Sequence, residues 1–248
     1  MIQISNLHKQ FDHREVLSGV DLKVNKGESI VVIGQSGCGK SVMLKHLVRL
    51  LEPDSGRITF DDADISKLHG RRLIDMRRRY GMLFQSAALF DSLTVAENVG
   101  LGLKEERVHT RSEIDAIVSE KLSMVGLPGS GDKFPDELSG GMRKRVGLAR
   151  AIAAEPEVLL YDEPTTGLDP ITADMINDLI VDLNTKLNVT SIAVTHDMTS
   201  AYKIADRIVM LYQGRVEFDG TPDEIRNSSN EVVKQFITGS ATGPIQVG

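Results

Sequence analysis

The sequence has little of what marks secreted or membrane-spanning proteins. Its one cysteine, Cys38, excludes an internal disulfide and fits a reducing compartment. Its apolar runs, such as "SIVVIG" and "EVLLY", are as long as strands and far shorter than the roughly 20 residues of a membrane-spanning helix. The first residues, "MIQISNLHKQ", contain no basic segment followed by an apolar one, so no signal peptide is predicted. We therefore expect a soluble, cytoplasmic chain.

The chain also lacks the excess of positive charge that is typical of nucleic-acid-binding proteins. It has 29 Lys and Arg against 35 Asp and Glu, which gives a net charge of −6. This balance predicts no nucleic-acid partner. Local basic clusters occur at residues 71–72, 77–79 and 143–145, and we interpret them as solvated helix faces.

The pattern of apolar residues predicts an α/β fold with a mainly parallel sheet. Near the N-terminus, "GVDLKV" and "RITFDD" alternate apolar and polar residues, which is typical of half-exposed antiparallel strands. Continuous apolar runs follow in "ESIVVIG", "EVLLYDEP", "VTSIAVTH" and "DRIVMLYQG", and such runs indicate strands buried on both faces. Segments with helical spacing separate them, as in "KSVMLKHLVRLL" and "DPITADMINDLIVDLNTKL".

The 248 residues correspond to one large domain in which the strand–helix alternation is interrupted once. We assign residues 1–86 and 135–220 to the core, together with an N-terminal antiparallel β subdomain. Residues 87–134 contain helical patterns only and are predicted to form an inserted helical subdomain. Residues 221–248 are predicted to form a C-terminal helix and a tail, whose small and polar residues "SATGPIQVG" indicate poor order.

A phosphate-binding motif lies between the first buried strand and the helix that follows it. The segment "GQSGCGKS" matches G-x-x-x-x-G-K-[ST], in which glycines let backbone N–H groups surround phosphates. The lysine of the motif reaches the β- and γ-phosphates, and the final hydroxyl helps to hold Mg²⁺. The thiol of Cys38 in this motif is either a reactive group at a helix N-terminus or a side chain at an unconstrained position that faces away from the phosphates. The motif consists of Gly34, Gln35, Ser36, Gly37, Cys38, Gly39, Lys40 and Ser41.

Two further strand ends carry polar groups suited to phosphate chemistry. "EVLLYDEP" ends in Asp162 and Glu163, of which the first can hold Mg²⁺ and the second can orient or deprotonate an attacking water. Two carboxylates solvated at a strand end are the alternative. His196 ends "SIAVTH", at the sheet edge where α/β folds place ligands, although a lone histidine is more often structural.

A second anion-binding helix start occurs far downstream, in "ELSGGMRKRVGLARA". Ser139, Gly140 and Gly141 precede a basic helical stretch, and the free N–H groups of a helix N-terminus attract anions. One chain thus contains two candidate phosphate-binding helix starts.

Together these segments resemble the nucleotide-binding subunit of ABC transporters. Residues 34–41 correspond to Walker A, Gln85 in "LFQSAALF" to the Q-loop, and "LSGGM" to the signature. "VLLYDE" corresponds to Walker B, Asp169 ends the D-loop "GLD", and His196 is the switch histidine. The six motifs occur in family order over nearly the whole chain. The resemblance implies a P-loop NTPase fold of the ABC ATPase type.

The resemblance also implies a mechanism that uses ATP and Mg²⁺. In this family two subunits pack head to tail, so that each ATP lies between the P-loop of one copy and the signature of the other. Glu163 would then be the base, and Gln85 would sense the γ-phosphate or the metal. Asp169 would act across the interface. Hydrolysis would require closure of the dimer, and its reopening would move integral membrane permease subunits.

Two positions depart from the family pattern. The family usually has an aromatic residue, often tyrosine, upstream of Walker A to stack on adenine, and Phe11 is the candidate here, with a role in the core as the alternative. The last signature position is usually glutamine, and here it is Met142. This change removes a polar contact but leaves the serine and glycines that surround phosphate.

Within the family, "LSGGMRKRVGLARAIA" and "GKSVMLKHLVRLLEPDSG" resemble the ATPases that work with MCE-domain proteins, including the Mla (maintenance of lipid asymmetry) phospholipid transporters. That resemblance implies permease and MCE partners and a peripheral position on the cytoplasmic face of the inner membrane. An importer of polar solutes such as amino acids is the alternative. A soluble ABC ATPase acting on DNA or the ribosome is a more remote one, and the presence of Glu163 and His196 argues against a module that only binds ATP.

Overall fold

In the computed structural model, which describes residues 1–246, the chain divides into two compact units. The first consists of Met1–Leu73 and Ile192–Gly248, and the second of Ile74–Ser191. These limits differ from those predicted for the core (1–86 and 135–220) and for the helical subdomain (87–134), which stay a prediction.

The first unit contains an antiparallel sheet at its N-terminal end. Its strands follow the order β2-β1-β4-β5, and the pairs β1–β2, β1–β4 and β4–β5 are all antiparallel. Alternate residues of β1, such as Ile2 and Ile4, are buried, as the period of two requires. The strands are β1 (Ile2–Phe11), β2 (Arg14–Val24), β4 (Ser55–Phe60) and β5 (Ala63–Asp64).

A second set of strands in this unit follows the order β10-β9-β3-β8, with β3 and β9 parallel and β10 antiparallel to β9. Every residue of β3 is buried, because its apolar run faces protein on both sides. The strands are β3 (Ser29–Ile33), β8 (Thr190–Thr195, which begins in the second unit), β9 (Arg207–Tyr212) and β10 (Arg215–Gly220). The helices are α1 (Lys40–Leu47), α2 (Gly70–Arg78, which ends in the second unit), α7 (Met198–Ile204), α8 (Pro222–Arg226) and α9 (Glu231–Thr238).

The second unit combines a parallel strand pair with four helices. Strands β6 (Tyr80–Leu83) and β7 (Val158–Asp162) pair in parallel. Helices α3 and α4 begin with capping boxes, formed by Thr94 with Glu97 and by Thr110 with Glu113. The helices are α3 (Val95–Glu106), α4 (Arg111–Met124), α5 (Gly140–Ile152) and α6 (Pro170–Leu187). The parallel strands, the antiparallel N-terminal sheet and the helical stretch confirm the predicted α/β architecture.

The C-terminal segment departs from the prediction of poor order. Gln235 of α9 is 7% exposed, and its side chain accepts a hydrogen bond from Ile245 N at 2.6 Å and donates one to Ile245 O at 3.1 Å. Ile245 itself is buried. The prediction is therefore wrong at Ile245, because a buried amide pairs with its backbone. It stays a prediction for the exposed residues 240–244, and Val247 and Gly248 lie outside the described residues.

Gly81 allows a close approach of strand β6 to helix α5 in the second unit. A Cβ atom at this position of β6 would lie 2.1 Å from the carbonyl oxygen of Ala151 in α5. We expect Gly81→Ala to lower the free energy of unfolding by about 1–3 kcal/mol, because α5 must move away from the strand. Urea denaturation measures the change.

Gly102 supplies the matched control. It lies within α3, and a Cβ atom there would meet nothing within 4 Å. Gly102→Ala should therefore raise the free energy of unfolding by about 0.5–1 kcal/mol through helix propensity. Equal stability of Gly81→Ala and the wild type would contradict the close approach of β6 and α5.

Candidate functional site

The P-loop connects β3 to α1, as the motif predicts. Gly39 is the N-cap of α1 and has a φ of 105°, and a Cβ atom there would lie 2.9 Å from Val16 O, so only glycine fits without strain. Lys40 is 5% exposed, and its ammonium donates hydrogen bonds to Gly34 O at 2.7 Å and Gln35 O at 3.0 Å. The loop therefore holds the lysine side chain folded against its own backbone.

A pocket of about 570 Å³ opens at this loop. Gly37 has a φ of 79°, and a Cβ atom there would meet nothing within 4 Å, so the backbone faces open space. Pro244 and Gln246 of the C-terminal segment also line the pocket. Among residues 1–246, its lining is Arg14, Glu15, Val16, Gln35, Ser36, Gly37, Cys38, Tyr212, Gln213, Gly214, Pro244 and Gln246.

The side chain of Cys38 lies against Gly34. A Cβ atom at Gly34 would lie 2.7 Å from Cys38 Sγ and 2.4 Å from Leu211 O, and Gly34 has a φ of 150°. The thiol is half-buried. Cys38 thus fills the space that the missing side chain of Gly34 leaves.

Phe11 lies at the end of β1, where it pairs with Arg14 across the hairpin. It is 40% exposed, and Lys9 Nζ lies 5.3 Å from its ring centroid. Arg14 lines the pocket at the P-loop, whereas Phe11 is not among the described lining residues. The exposure of Phe11 argues against the alternative role in the core.

Asp162 and Glu163 follow each other at the end of β7. They are 6% and 8% exposed, and Thr166 Oγ1 donates a hydrogen bond to Glu163 Oε2 at 3.1 Å. The backbone of Glu163 has a φ of 49°, in the left-handed region that few residues with a side chain adopt. Such a conformation in a buried acidic residue is typical of functional sites.

Helix α5 holds both Glu163 and the Q-loop through two cations, the buried Lys144 and the half-buried Arg150. Lys144 Nζ donates to Gln85 O at 2.5 Å and to Glu163 O at 3.0 Å. Two turns later, Arg150 donates to Ala87 O at 2.5 Å and to Ala88 O at 2.7 Å. The side chain of Gln85 is exposed while its carbonyl is held.

Lys144 corrects the interpretation of residues 143–145 as a solvated helix face. Arg143 is exposed, but Lys144 is only 5% exposed. Burial lowers the pKa of Lys144 to about 8, although the charges of Asp162 and Glu163 oppose that shift. Sequence reasoning missed Lys144, and its one signal was helical spacing, which places residue 144 on a different face from residue 143.

The signature and the D-loop lie together in the second unit. Ser139 is the N-cap of α5 and accepts a hydrogen bond from Met142 N at 3.3 Å. A Cβ atom at Gly141 would lie 2.6 Å from Thr172 Cγ2. Thr172 in turn donates its hydroxyl hydrogen to Asp169 at 2.5 Å, and this hydrogen bond lowers the pKa of Asp169.

Asp169 also accepts hydrogen bonds from the backbone of Ile171 and Thr172, both at 3.0 Å, and so caps α6. The structure therefore gives this exposed carboxylate a local structural role at the start of the helix. In the other unit, His196 is exposed and directly follows β8.

The sequence of this chain matches the model of a protein family. The model, described as ABC transporter, matches residues 17–166, which is more than half of the chain. The chain belongs to the ABC transporter family. As an ABC ATPase, it binds ATP and hydrolyses it.

Relatives match nearly the whole length of this ABC ATPase. The probable ribonucleotide transport ATP-binding protein mkl of Mycobacterium tuberculosis is 41% identical over 98% of the chain and 68% of the relative. The intermembrane phospholipid transport system ATP-binding protein MlaF of Haemophilus influenzae is 40% identical over 99% of the chain and 93% of the relative. The dimeric ATP-binding cassette MJ0796 bound to ADP and Pi is 33% identical, with a TM-score of 0.81 over 90% of this chain and 99% of that one.

Among the helices of residues 1–246, none combines the length and the apolar character needed to cross a bilayer. No three histidine, cysteine, aspartate or glutamate side chains in this range form a group that could hold a metal ion.

The burial of Lys144 predicts a specific dependence of stability on pH. Its pKa in the folded ABC ATPase, about 8, lies below the ordinary value of 10.5 that applies to the unfolded chain. Between these values the unfolded state binds more protons, so stability rises with pH. From pH 7.5 to 9, the wild type should gain about 1 kcal/mol over Lys144→Met in the free energy of unfolding.

Urea denaturation of both proteins at several pH values measures this difference. Lys144→Met is the reference because it lacks the titrating group and retains the other ionisable residues. A constant difference between pH 7.5 and 9 would contradict the burial of Lys144 as a cation.

Proposed function

We propose that ATP binds to this chain at the P-loop pocket, with its phosphates against the backbone of residues 34–41. The pocket of about 570 Å³ and the open space at Gly37 support this assignment. Lys40, already placed at the loop by Gly34 O, reaches the β- and γ-phosphates when they enter. Phe11 stacks on the adenine, for which its partly exposed ring is suited.

Mg²⁺ accompanies the nucleotide in this proposal, with Ser41, Gln85 and Asp162 as the protein ligands. A hydroxyl, an amide oxygen and a carboxylate are the hard oxygen ligands that Mg²⁺ prefers. The ion usually takes one or two carboxylates and completes its shell with phosphate oxygens and water, so no protein-only metal cluster is required. When bound, it neutralises charge on the phosphates.

Glu163 acts as the general base for the attacking water, and His196 contacts the γ-phosphate. The burial of Glu163 and the fixed position of its backbone suit a base that must be held in place. Gln85 senses the γ-phosphate or the metal and links it to the helical segment that follows.

Ser139, Gly140 and Gly141 act on the nucleotide bound by a second copy of the chain, together with Asp169. Ser139 is exposed at a helix N-terminus, which makes this end accessible to another molecule. The related cassette MJ0796 is dimeric when bound to ADP and Pi, which supports the formation of a dimer here. Hydrolysis then depends on closure of the dimer.

The transported cargo is phospholipid, moved between membranes by a complex of this ATPase with permease subunits and an MCE-domain protein. The similarity to MlaF, 40% identity over 99% of the chain, is the observation that carries this proposal. The ATPase would then lie on the cytoplasmic face of the inner membrane, held there by the permease.

An importer of polar solutes is the second candidate. The sulfate/thiosulfate import ATP-binding protein CysA of Synechococcus elongatus, which is 41% identical over 99% of this chain and 69% of the relative, supports it. The residues described above contact nucleotide in either case, so only the partner proteins distinguish the two cargoes.

The dimer proposal predicts that two substitutions, both of which block hydrolysis, have opposite effects on dimer formation with ATP. Glu163→Gln should bind ATP with little change in affinity, lower kcat at least about 100-fold and accumulate as a closed dimer, because only the base is lost. Ser139→Arg should also block hydrolysis but remain monomeric with ATP, since the larger side chain occupies the interface. Turnover assays and size-exclusion chromatography with ATP measure both effects.

Lys40→Ala is the control that loses nucleotide binding itself. Wild-type turnover of Glu163→Gln would exclude Glu163 as the base. Loss of ATP binding in Ser139→Arg would contradict a signature that acts on the nucleotide of the other copy.

The cargo proposal predicts which proteins co-purify with this chain from mild-detergent extracts of its own membranes. A permease together with an MCE-domain protein is the expected result. A permease with a soluble solute-binding protein would instead support the polar-solute importer. With the complex shown to survive the detergent by crosslinking before extraction, recovery of no membrane protein would contradict the transport proposal.

A further inference from the structure

Lys144 is a buried lysine whose hydrogen-bond partners lie on two separate segments of the chain. It belongs to the second turn of α5 and is 5% exposed. Its ammonium donates to the backbone carbonyls of Gln85, in the Q-loop, and of Glu163, after β7. These two residues are 78 positions apart in sequence, and the lysine brings their main chains to one point.

A lysine in this position is costly for the fold. Lysine is almost never fully buried unless it is paired, because its charge loses hydration. The charges of Asp162 and Glu163 compensate in part by favouring the ammonium form. An apolar side chain would avoid the cost of the charge but would leave both carbonyl groups without this donor. The fold therefore keeps a charged donor where packing alone would favour an apolar residue.

We propose that Lys144 is a positioning residue for ATP hydrolysis, which fixes the main chains of Gln85 and Glu163 to one point. This inference rests on the roles proposed above for the side chains of these two residues. Because one ammonium group holds both carbonyls, the main chains of the base, Glu163, and of the γ-phosphate sensor, Gln85, keep a fixed distance from each other.

Comparison with Arg150 distinguishes the proposed role of Lys144 from simple anchoring of the Q-loop. It binds the carbonyls of Ala87 and Ala88, so α5 holds the Q-loop main chain at a second place. Among the hydrogen bonds described here, that of Lys144 also reaches Glu163, whereas those of Arg150 do not. Loss of Lys144 should therefore affect both segments, and loss of Arg150 only the first.

The first test measures kcat, KM and ATP affinity of the full chain with Lys144→Met, Lys144→Arg and Arg143→Met. Lys144→Met should lower kcat at least about tenfold while the Kd for ATP stays within about twofold, because the P-loop is untouched. Lys144→Arg, which keeps a charged donor, should recover most of the lost kcat. Arg143→Met is the matched control, since it removes a neighbouring, exposed positive charge, and should change kcat less than about twofold.

The second test does not depend on turnover. Hydrogen–deuterium exchange should be faster in Lys144→Met than in the wild type in peptides covering both residues 84–88 and residues 162–166. Arg150→Met should accelerate exchange in the first peptide only. If Lys144→Met does not fold, Lys144→Gln, which keeps an amide donor without the charge, is measured in its place.

The outcomes distinguish this inference from the proposed function. Wild-type kcat in Lys144→Met beside an inactive Glu163→Gln would overturn the role of Lys144 and leave the ATPase mechanism intact. Full activity of Glu163→Gln would instead overturn the mechanism itself. An equal loss of kcat and ATP affinity, with no recovery in Lys144→Arg, would show that Lys144 only stabilises the fold.

Discussion

The second unit depends on helix α5 supplying positive charge to backbone carbonyl groups. Lys144 and Arg150 together bind four carbonyl oxygens, those of Gln85, Glu163, Ala87 and Ala88. Ala87 and Ala88 have φ values of 61° and 46°, so the Q-loop adopts a backbone conformation that local propensity does not favour. Interactions from outside the loop must maintain it, and α5 provides them.

The same helix serves the site at its other end. Its N-terminus begins at the signature, where Gly141 approaches Thr172 and, through it, the carboxylate of Asp169. Its C-terminal half packs against β6 at Gly81. A displacement of α5 would therefore disturb the signature, the Q-loop and the backbone of Glu163 at once. If these segments act on nucleotide as proposed, α5 couples them.

The sequence was sufficient for the parts of the site that depend on local order along the chain. A buried strand, a glycine-rich loop and a helix occur consecutively in "SIVVIGQSGCGKS", and the structure has β3, the loop and α1 in that order. Lys144 could not be assigned in this way, because its partners are main-chain atoms of distant segments that carry no signal in residue type. For the same reason the burial of Ile245 against Gln235 was missed: a segment of small and polar residues gives no indication that a buried amide will bind it.

The backbone conformation of Glu163 affects which residue types this position favours. Its φ of 49° costs a residue with a side chain about 1 kcal/mol or more, whereas glycine or asparagine adopts the same conformation more easily. Relief of this backbone strain alone would thus favour the loss of the carboxylate. Under the role proposed for Glu163, a chain with glycine at this position would form the turn with less strain but would lack the base for hydrolysis. A duplicated copy that no longer needs to hydrolyse ATP, such as one half of an asymmetric dimer, could therefore lose this residue without adding backbone strain.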